Sequence, residues 1–237
     1  MIELVTHCCA VELPQYAWTL KAQIEAMLSS DLARLTVCFW EGDELTKRIV
    51  AQYHTSRVRA SQHMHLATLG RRAIGRNWVS QHLIPAETST VIFTDADYLW
   101  TAEALQTLES WATRPRNATM IYPRKIQVSR DWNLGDEQWG RSRDGTFSII
   151  PEEFIDQQFT RAIGGVQIVR GSFARENGYL RDDPKWQRPQ TGKPFSDFKD
   201  DVAYRRFCEL RGPIVAVDIP GIYRIRHTHT SYQPPKV

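Results

Sequence analysis

Two short acidic pairs carry most of the chemistry this chain can offer. In VIFTDADYLW, residues 91 to 100, an apolar run ends on Asp95 and Asp97 with one small residue between them. In FKDDVAYRR, residues 198 to 206, Asp200 and Asp201 are adjacent where a helix should begin. One intervening residue in an extended segment sends two side chains to the same side, so Asp95 and Asp97 can share one Mg²⁺ or Mn²⁺ ion. Alternatively one holds the ion and the other a ribose hydroxyl. Without a cation the two carboxylates would repel each other and one would tend to keep a proton, so an ion bridging to a diphosphate explains the spacing with fewest assumptions. The competing reading is that both acids merely cap the following helix and define a turn. His227 and His229 alternate along RIRHTH and face one way, which lets one or both approach a metal beside Asp97, and spacing does not choose between them.

The elements that must position these groups alternate. IELVTHCC (2–9) reads as a buried strand, and Pro14 opens a helical pattern through Trp18, Leu20, Ile24, Met27 and Leu28. LTVCFWEG (35–42) is a second strand, and 60–83 reads as one long helical segment weakened by Gly70 and Gly75. VIFTDADYLW is a further buried strand, 101–113 a helix with Glu103 in its first turn, and 118–128 another strand. Residues 129–160 break the rhythm and read as an irregular or hairpin-like excursion, in which Trp132 and Trp139 either stack on a sugar or pack the excursion down. GGVQIVRG (164–171), a helix from Asp197 to Leu210 and the strands IVAVDI and GIYRIRHTH close the chain, and SYQPPKV reads as an unstructured tail. The pattern predicts an α/β fold: a mostly parallel central sheet flanked by helices, with a small irregular excursion. In such sheets ligands collect outside the carboxyl ends of the strands, where Asp95 and Asp97 fall.

With 237 residues and 42% hydrophobic content, one domain with one core is the expectation. Thirty basic against 27 acidic side chains leave a net charge of +3, too little to point to nucleic acid, although Arg57, Arg59, Arg71, Arg72 and Arg76 gather positive charge locally. A local anionic partner fits that clustering better than a polymer. The four cysteines, at 8, 9, 38 and 208, form no metal or disulfide spacing, which favours reduced thiols in a cytoplasmic protein. No window approaches the roughly 20 apolar residues of a membrane helix, so no integral membrane segment is expected.

Taken in order, these motifs resemble the GT-A superfamily of nucleotide-sugar-dependent glycosyltransferases, in particular family 2-like members, over nearly the whole chain. TDAD resembles the DxD motif; GRRAIGRNW (70–78) is similar to the helix carrying Arg and Asn before it; IGGVQIVRGSFARENGYLRD (163–182) resembles the segment approaching the donor sugar. FKDDVAYRR resembles the acidic motif that opens a helix carrying an Arg, with Asp where the family often has Glu and with Arg205 and Arg206 slightly early; RIRHTHTS resembles the closing strand with its metal-binding His.

The resemblance implies a single GT-A domain over 1–237, with 1–128 mainly nucleotide-binding and 129–237 mainly acceptor-side. It implies Asp97 on the metal of a donor diphosphate and Asp95 near the ribose or on the metal through water. Thr6, His7, Glu41 and Asp43 would lie by base and ribose, Arg71, Arg76 and Asn77 toward base or phosphates, and Gly164 and Gly165 beside the sugar, unless the glycines serve only their loop. The implied reaction is transfer of a hexose from a UDP-hexose to a hydroxyl of a glycan or small-molecule acceptor, inverting, with Asp201 as general base and Asp200 binding acceptor. Rival readings are a haloacid-dehalogenase-type phosphatase attacking through Asp95, disfavoured because the motif strand comes late and Tyr98 follows it, and a non-catalytic sugar-nucleotide or glycan-binding protein.

Overall fold

The computed structural model describes residues 1–11, 13–63, 71–112, 118–131, 139–143, 145–163, 165–181 and 200–227. A seven-stranded sheet forms the centre. Its members in chain order are β1 (Ile2–His7), β2 (Ala33–Trp40), β3 (Val58–His63), β4 (Thr90–Asp95), β6 (Met120–Pro123), β9 (Val166–Arg170) and β10 (Ile214–Val217). Across the sheet the order is β10-β6-β9-β4-β1-β2-β3. All described pairings are parallel except those of β9, which runs antiparallel to both β4 and β6. Ile2, Leu4, Val37, Ile92 and Ile168 are fully buried on one side and Val5, Phe93 and Val169 on the other, so both faces are covered. Central strands buried on both faces read as continuous apolar runs, which is why β1, β2 and β4 were legible.

A second sheet of four strands lies beside it, in the order β5-β11-β7-β8. It is built from β5 (Tyr98–Trp100), β7 (Lys125–Ser129), β8 (Phe154–Gln158) and β11 (Ile222–Arg224). The expected strand over 118–128 is therefore two strands in two sheets, β6 and β7, divided at Arg124. Pro123 is the last residue of β6 and brings no N–H to a ladder. The expected excursion is hairpin-like where described: β8 returns antiparallel on β7, and Arg141 bridges Phe147. Trp139 packs with Trp18, Phe147 and Phe154 and donates its indole N–H to Glu153, so of the two roles expected for it the structure shows packing. Trp132 lies outside the described residues.

The helices are α1 (Gln15–Leu28), α2 (Glu44–Ala51), α3 (Arg71–His82), α4 (Ala102–Ala112), α5 (Gly171–Asn177) and α6 (Asp200–Glu209). The long helix expected over 60–83 is corrected at its start: 60–63 belong to β3, paired in parallel with β2, and α3 begins at Arg71. Burial alternates over residues 60–63, a two-residue period that belongs to a strand and not to a helix. Gly75, taken as a weakness in that helix, has a packing purpose. A Cβ there would stand 2.8 Å from the Cβ of Cys38 and 3.0 Å from Nε2 of His63, so its absence lets α3 lie close on β2 and β3.

Candidate active site

The carboxyl ends of β1 and β4 bring His7 level with Asp95, and on the next strand His7 pairs with Cys38. The chain then turns at Ala96 and Asp97 before entering β5. Two amide bonds from α1 fix this turn, because Nε2 of Gln23 donates to the carbonyls of both Asp95 and Tyr98 at 2.8 Å. A third bond ties it to the closing strand, where the Ile225 amide donates to the Asp97 carbonyl at 2.8 Å. The turn replaces the extended segment that the spacing suggests, and the two carboxylates take different partners.

Asp95 is held by arginines. Nη2 of the fully buried Arg76 donates to Asp95 Oδ1 at 2.8 Å and to the Thr94 carbonyl at 2.7 Å, and Nη1 of Arg72 lies 3.5 Å from the same carboxylate oxygen. Burial alone would raise the Asp95 carboxyl; Arg72, Arg76 and Arg224 outweigh it and hold it below the usual carboxylate range. Asp97 is almost completely buried. Its Oδ2 accepts from Arg224 Nε at 3.1 Å and lies 3.7 Å from Nε2 of His227, while its Oδ1 has no hydrogen-bond partner among the described residues. The His227 ring is met edge-on by Tyr16, with centroids 4.9 Å apart. Tyr16 stands in the field of both carboxylates: burial, then Asp97 and Asp95, keep its phenol well above its usual range and so protonated.

A buried carboxylate with one oxygen lacking a donor and the other 3.7 Å from an imidazole nitrogen is a mixed oxygen and nitrogen donor set, which suits Mn²⁺ better than the oxygen-preferring Mg²⁺. Among the described residues no group of three or more His, Cys, Asp or Glu side chains forms a complete metal cage. Asp97 and His227 thus amount to a partial set of the kind used when phosphate oxygens and water complete a shell. His229 lies outside the described residues.

The second acidic pair opens α6. Asp200 is almost fully buried and takes a two-pronged bond from Arg72, whose Nε lies 3.1 Å from both Asp200 oxygens and whose Nη2 meets Oδ1. Burial works against the Arg72 charge, but Asp200 and Asp95 outweigh it and keep the guanidinium protonated. Asp201 is half-buried, and the charges of Arg72, Asp200 and Asp95 all act on its carboxyl. Its carboxyl is raised, by burial first and by Asp200 and Asp95 in addition, against the opposing pull of Arg72. Its main chain is anchored through Gln167, whose Nε2 donates to the Asp201 carbonyl at 2.8 Å and whose Oε1 accepts from the Tyr179 hydroxyl at 3.1 Å.

Several residues expected at the ligand are engaged elsewhere. Thr6 is fully buried between β2 and β4, and its hydroxyl donates to the Thr94 carbonyl at 3.3 Å, so it presents nothing to a nucleotide. Asp43 is fully buried as the N-cap of α2: Oδ1 accepts from the Thr46 amide, and Oδ2 from the Ala10 amide and the Thr46 hydroxyl. Arg76 serves Asp95 rather than solvent. Asn77 is turned away, with Oδ1 accepting from the Tyr179 amide and from Gln81. Asp200, buried under Arg72, does not face an acceptor. Gly165 makes room for protein, since a Cβ there would stand 2.1 Å from the Tyr98 ring. Glu41 and His7 remain at the strand ends, Glu41 exposed and His7 half-buried beside the His63 ring. The Arg71 side chain and Gly164 lie outside the described residues.

Arg72, Arg224, Tyr16 and Gln23 form much of the site and were not picked out as site residues from sequence. A signal existed for Arg72: it stands four residues before Arg76, and that spacing places both guanidiniums on one helix face.

No family model and no curated sequence matches the chain. Solved structures do. The chain is similar to the S. aureus TarS segment 1–349 in complex with UDP, with a TM-score of 0.58 and 12% identity over 96% of this chain and 61% of that one. It is similar to the inositol-1-phosphate CTP transferase from T. maritima, with a TM-score of 0.53 and 11% identity over 95% of this chain and 89% of that one. It is also similar to the mannosyltransferase PcManGT from Pyrobaculum calidifontis in complex with GDP-Man and Mn²⁺, with a TM-score of 0.50 and 13% identity over 96% of this chain and 56% of that one. The chain thus spans less than two thirds of the TarS segment and of PcManGT. Identities this low speak to fold, and the seven-stranded, mostly parallel sheet with its helices and reversed β9 is the GT-A fold.

Proposed function

We propose that the chain is a metal-dependent glycosyltransferase moving a hexose from a nucleotide-sugar, a UDP-hexose for preference, to a hydroxyl of a glycan or small molecule. The observation that carries this reading is the buried Oδ1 of Asp97, which has no hydrogen-bond partner among the described residues while Oδ2 of the same carboxylate lies 3.7 Å from Nε2 of His227. Support also comes from the UDP and GDP-Man complexes of the structural neighbours.

Asp97 and His227 would hold a divalent cation, Mn²⁺ or Mg²⁺. When bound, the cation supplies positive charge to a departing diphosphate. Arg224, partly exposed over the Tyr98 ring, adds a fixed guanidinium on the same side. Base and ribose fall to the strand ends that carry His7 and Glu41. Asp201 takes the proton from the acceptor hydroxyl, and its raised carboxyl brings the base closer to neutral pH, where proton transfer is most effective. With the base opposite the leaving diphosphate, a single displacement inverts the anomeric carbon.

Free backbone N–H groups in the loop after β1 would favour a triphosphate and so nucleotidyl transfer, and much of the described loop has none to offer. Here the amides of Cys8, Ala10, Leu13, Tyr16 and Ala17 are all bonded within the protein. Phosphatase chemistry through Asp95 would compete with the two guanidiniums that hold its Oδ1.

A panel of nucleotide-sugars with Mn²⁺, read by product analysis, tests the proposal. Transfer or slow hydrolysis that yields a nucleoside diphosphate supports it. Release of pyrophosphate, release of inorganic phosphate from a sugar phosphate, or binding without turnover for every donor contradicts it.

A further inference from the structure

Arg72 touches both acidic pairs. From α3 its Nη1 approaches Asp95 at the end of β4, while Nε and Nη2 grip Asp200 at the start of α6. Asp200 is buried and sits at a helix N-terminus, where the positive end of the helix dipole favours its charge but does not replace the lost water. The Arg72 fork supplies the counter-charge, and its planar geometry fixes direction as well as distance. A second, parallel path runs beneath. Arg76 Nη1 lies 3.3 Å from the Tyr179 hydroxyl, that hydroxyl donates to Gln167, and Gln167 donates to the Asp201 carbonyl. The first residue of α6 is thus held by charge and the second by neutral hydrogen bonds, and both paths begin on α3 and the end of β4.

We propose that Arg72 is a positioning residue that couples the donor end of the site to its acceptor end. By bridging Asp95 and Asp200 it sets where Asp201 stands relative to the Asp95–Asp97 turn and moderates the charge around that base. The proposal rests on the glycosyl-transfer reading above, but its electrostatic half is measured without turnover. Among the described residues, the groups whose charges or dipoles act on Asp201 are Arg72 from α3, Asp95 from β4, its neighbour Asp200, and the phenols of Tyr98 and Tyr179. Arg72 is the cation among them, and Asp200 and Asp95 are the anions. Removing Arg72 should therefore move Asp201 titration one way and removing the Asp200 charge the other.

The experiment compares Arg72→Met, Arg72→Lys and Asp200→Asn with wild type. Carboxyl-carbon NMR titration of Asp201 should give a higher midpoint in Arg72→Met, a lower one in Asp200→Asn and one close to wild type in Arg72→Lys. In transfer assays Arg72→Met should lower kcat by roughly 10²-fold, the scale of a misplacement of about 1 Å, with donor KM little changed. Its acid limb should move to higher pH, and Arg72→Lys should restore the limb but only part of kcat because a lysine cannot make the fork. Should Arg72→Met fail to fold, the opposite-sign shift in Asp200→Asn and the partial rescue in Arg72→Lys still decide. Unmoved midpoints in folded variants overturn the proposal, as does a rise in donor KM at constant kcat. Wild type inactive with every donor, yet with the midpoints displaced as stated, would refute the glycosyl-transfer reading and leave the positioning of Asp201 standing.

Discussion

The turn after β4 and the start of α6 are built alike: each presents two acids within three residues, and in each the first acid is spent on arginine. Asp95 is fastened to Arg76 and Arg72, and Asp200 to Arg72. The second acid of each pair keeps chemical freedom, Asp97 through an oxygen without a hydrogen-bond partner among the described residues and Asp201 through a half-buried, raised carboxyl. The pairs differ in what surrounds that free oxygen. Asp97 sits beside His227 and Arg224, which suits holding a cation and an anion together; Asp201 sits where burial and like charge make it basic. Two similar sequence signatures thus receive different chemistry from the partners the fold brings to them.

The largest expected effect that tests this division is at Asp97. Asp97→Ala should abolish transfer by 10²-fold or more and remove its dependence on Mn²⁺, whereas Asp95→Ala should leave a Mn²⁺ response in whatever folded enzyme remains. Asp201→Asn should come next, with transfer lowered by about 10²-fold or more and donor binding retained, measured by steady-state kinetics beside a binding isotherm. In wild type, kcat should fall as pH drops through the Asp201 midpoint, which lies above the ordinary aspartate range.

The same substitution sharpens the comparison through stability. A carboxyl raised on folding binds its proton more tightly in the folded than in the unfolded chain, so its contribution falls as pH rises from the unfolded to the folded value. Asp201→Asn should therefore be somewhat more stable than wild type near pH 7 and lose that advantage in acid, as read by urea unfolding at both pH values. Asp95→Ala should show the opposite pattern. It strands the buried Arg76 guanidinium and should cost roughly 3 kcal/mol at neutral pH, the low end for a broken buried pair. The smallest effect belongs to Asp43→Ala, which removes a helix cap. It should cost about 1 kcal/mol of stability and leave donor KM unchanged, separating a buried cap from a ligand contact.

The parts of the molecule legible in sequence are those in which local pattern and tertiary fate agree. Strands β1, β2 and β4 are apolar runs because both their faces are covered, and α1 and α4 begin near their predicted starts. The acids at 95, 97, 200 and 201 stood out because charge at a strand end or helix start is visible one residue at a time. What stayed hidden depends on contacts between distant segments. Whether 60–63 joined a helix or a strand was decided by β2, and whether 125–129 continued β6 was decided by β11 and β8. The same limit explains the site. Asp43 reads as an exposed acid after a strand until the Ala10 amide arrives from another loop to bury it, and Arg72 reads as one of several basic residues until α6 brings Asp200 to meet it.

The central claim is that Asp97 holds a cation that a nucleotide-sugar needs in order to bind. Calorimetric titration of UDP into wild type and Asp97→Ala, each with and without Mn²⁺, tests it most directly. The account predicts binding to wild type that strengthens at least tenfold with Mn²⁺ and binding to Asp97→Ala that does not respond to the ion. Equal strengthening by Mn²⁺ in both proteins would contradict it.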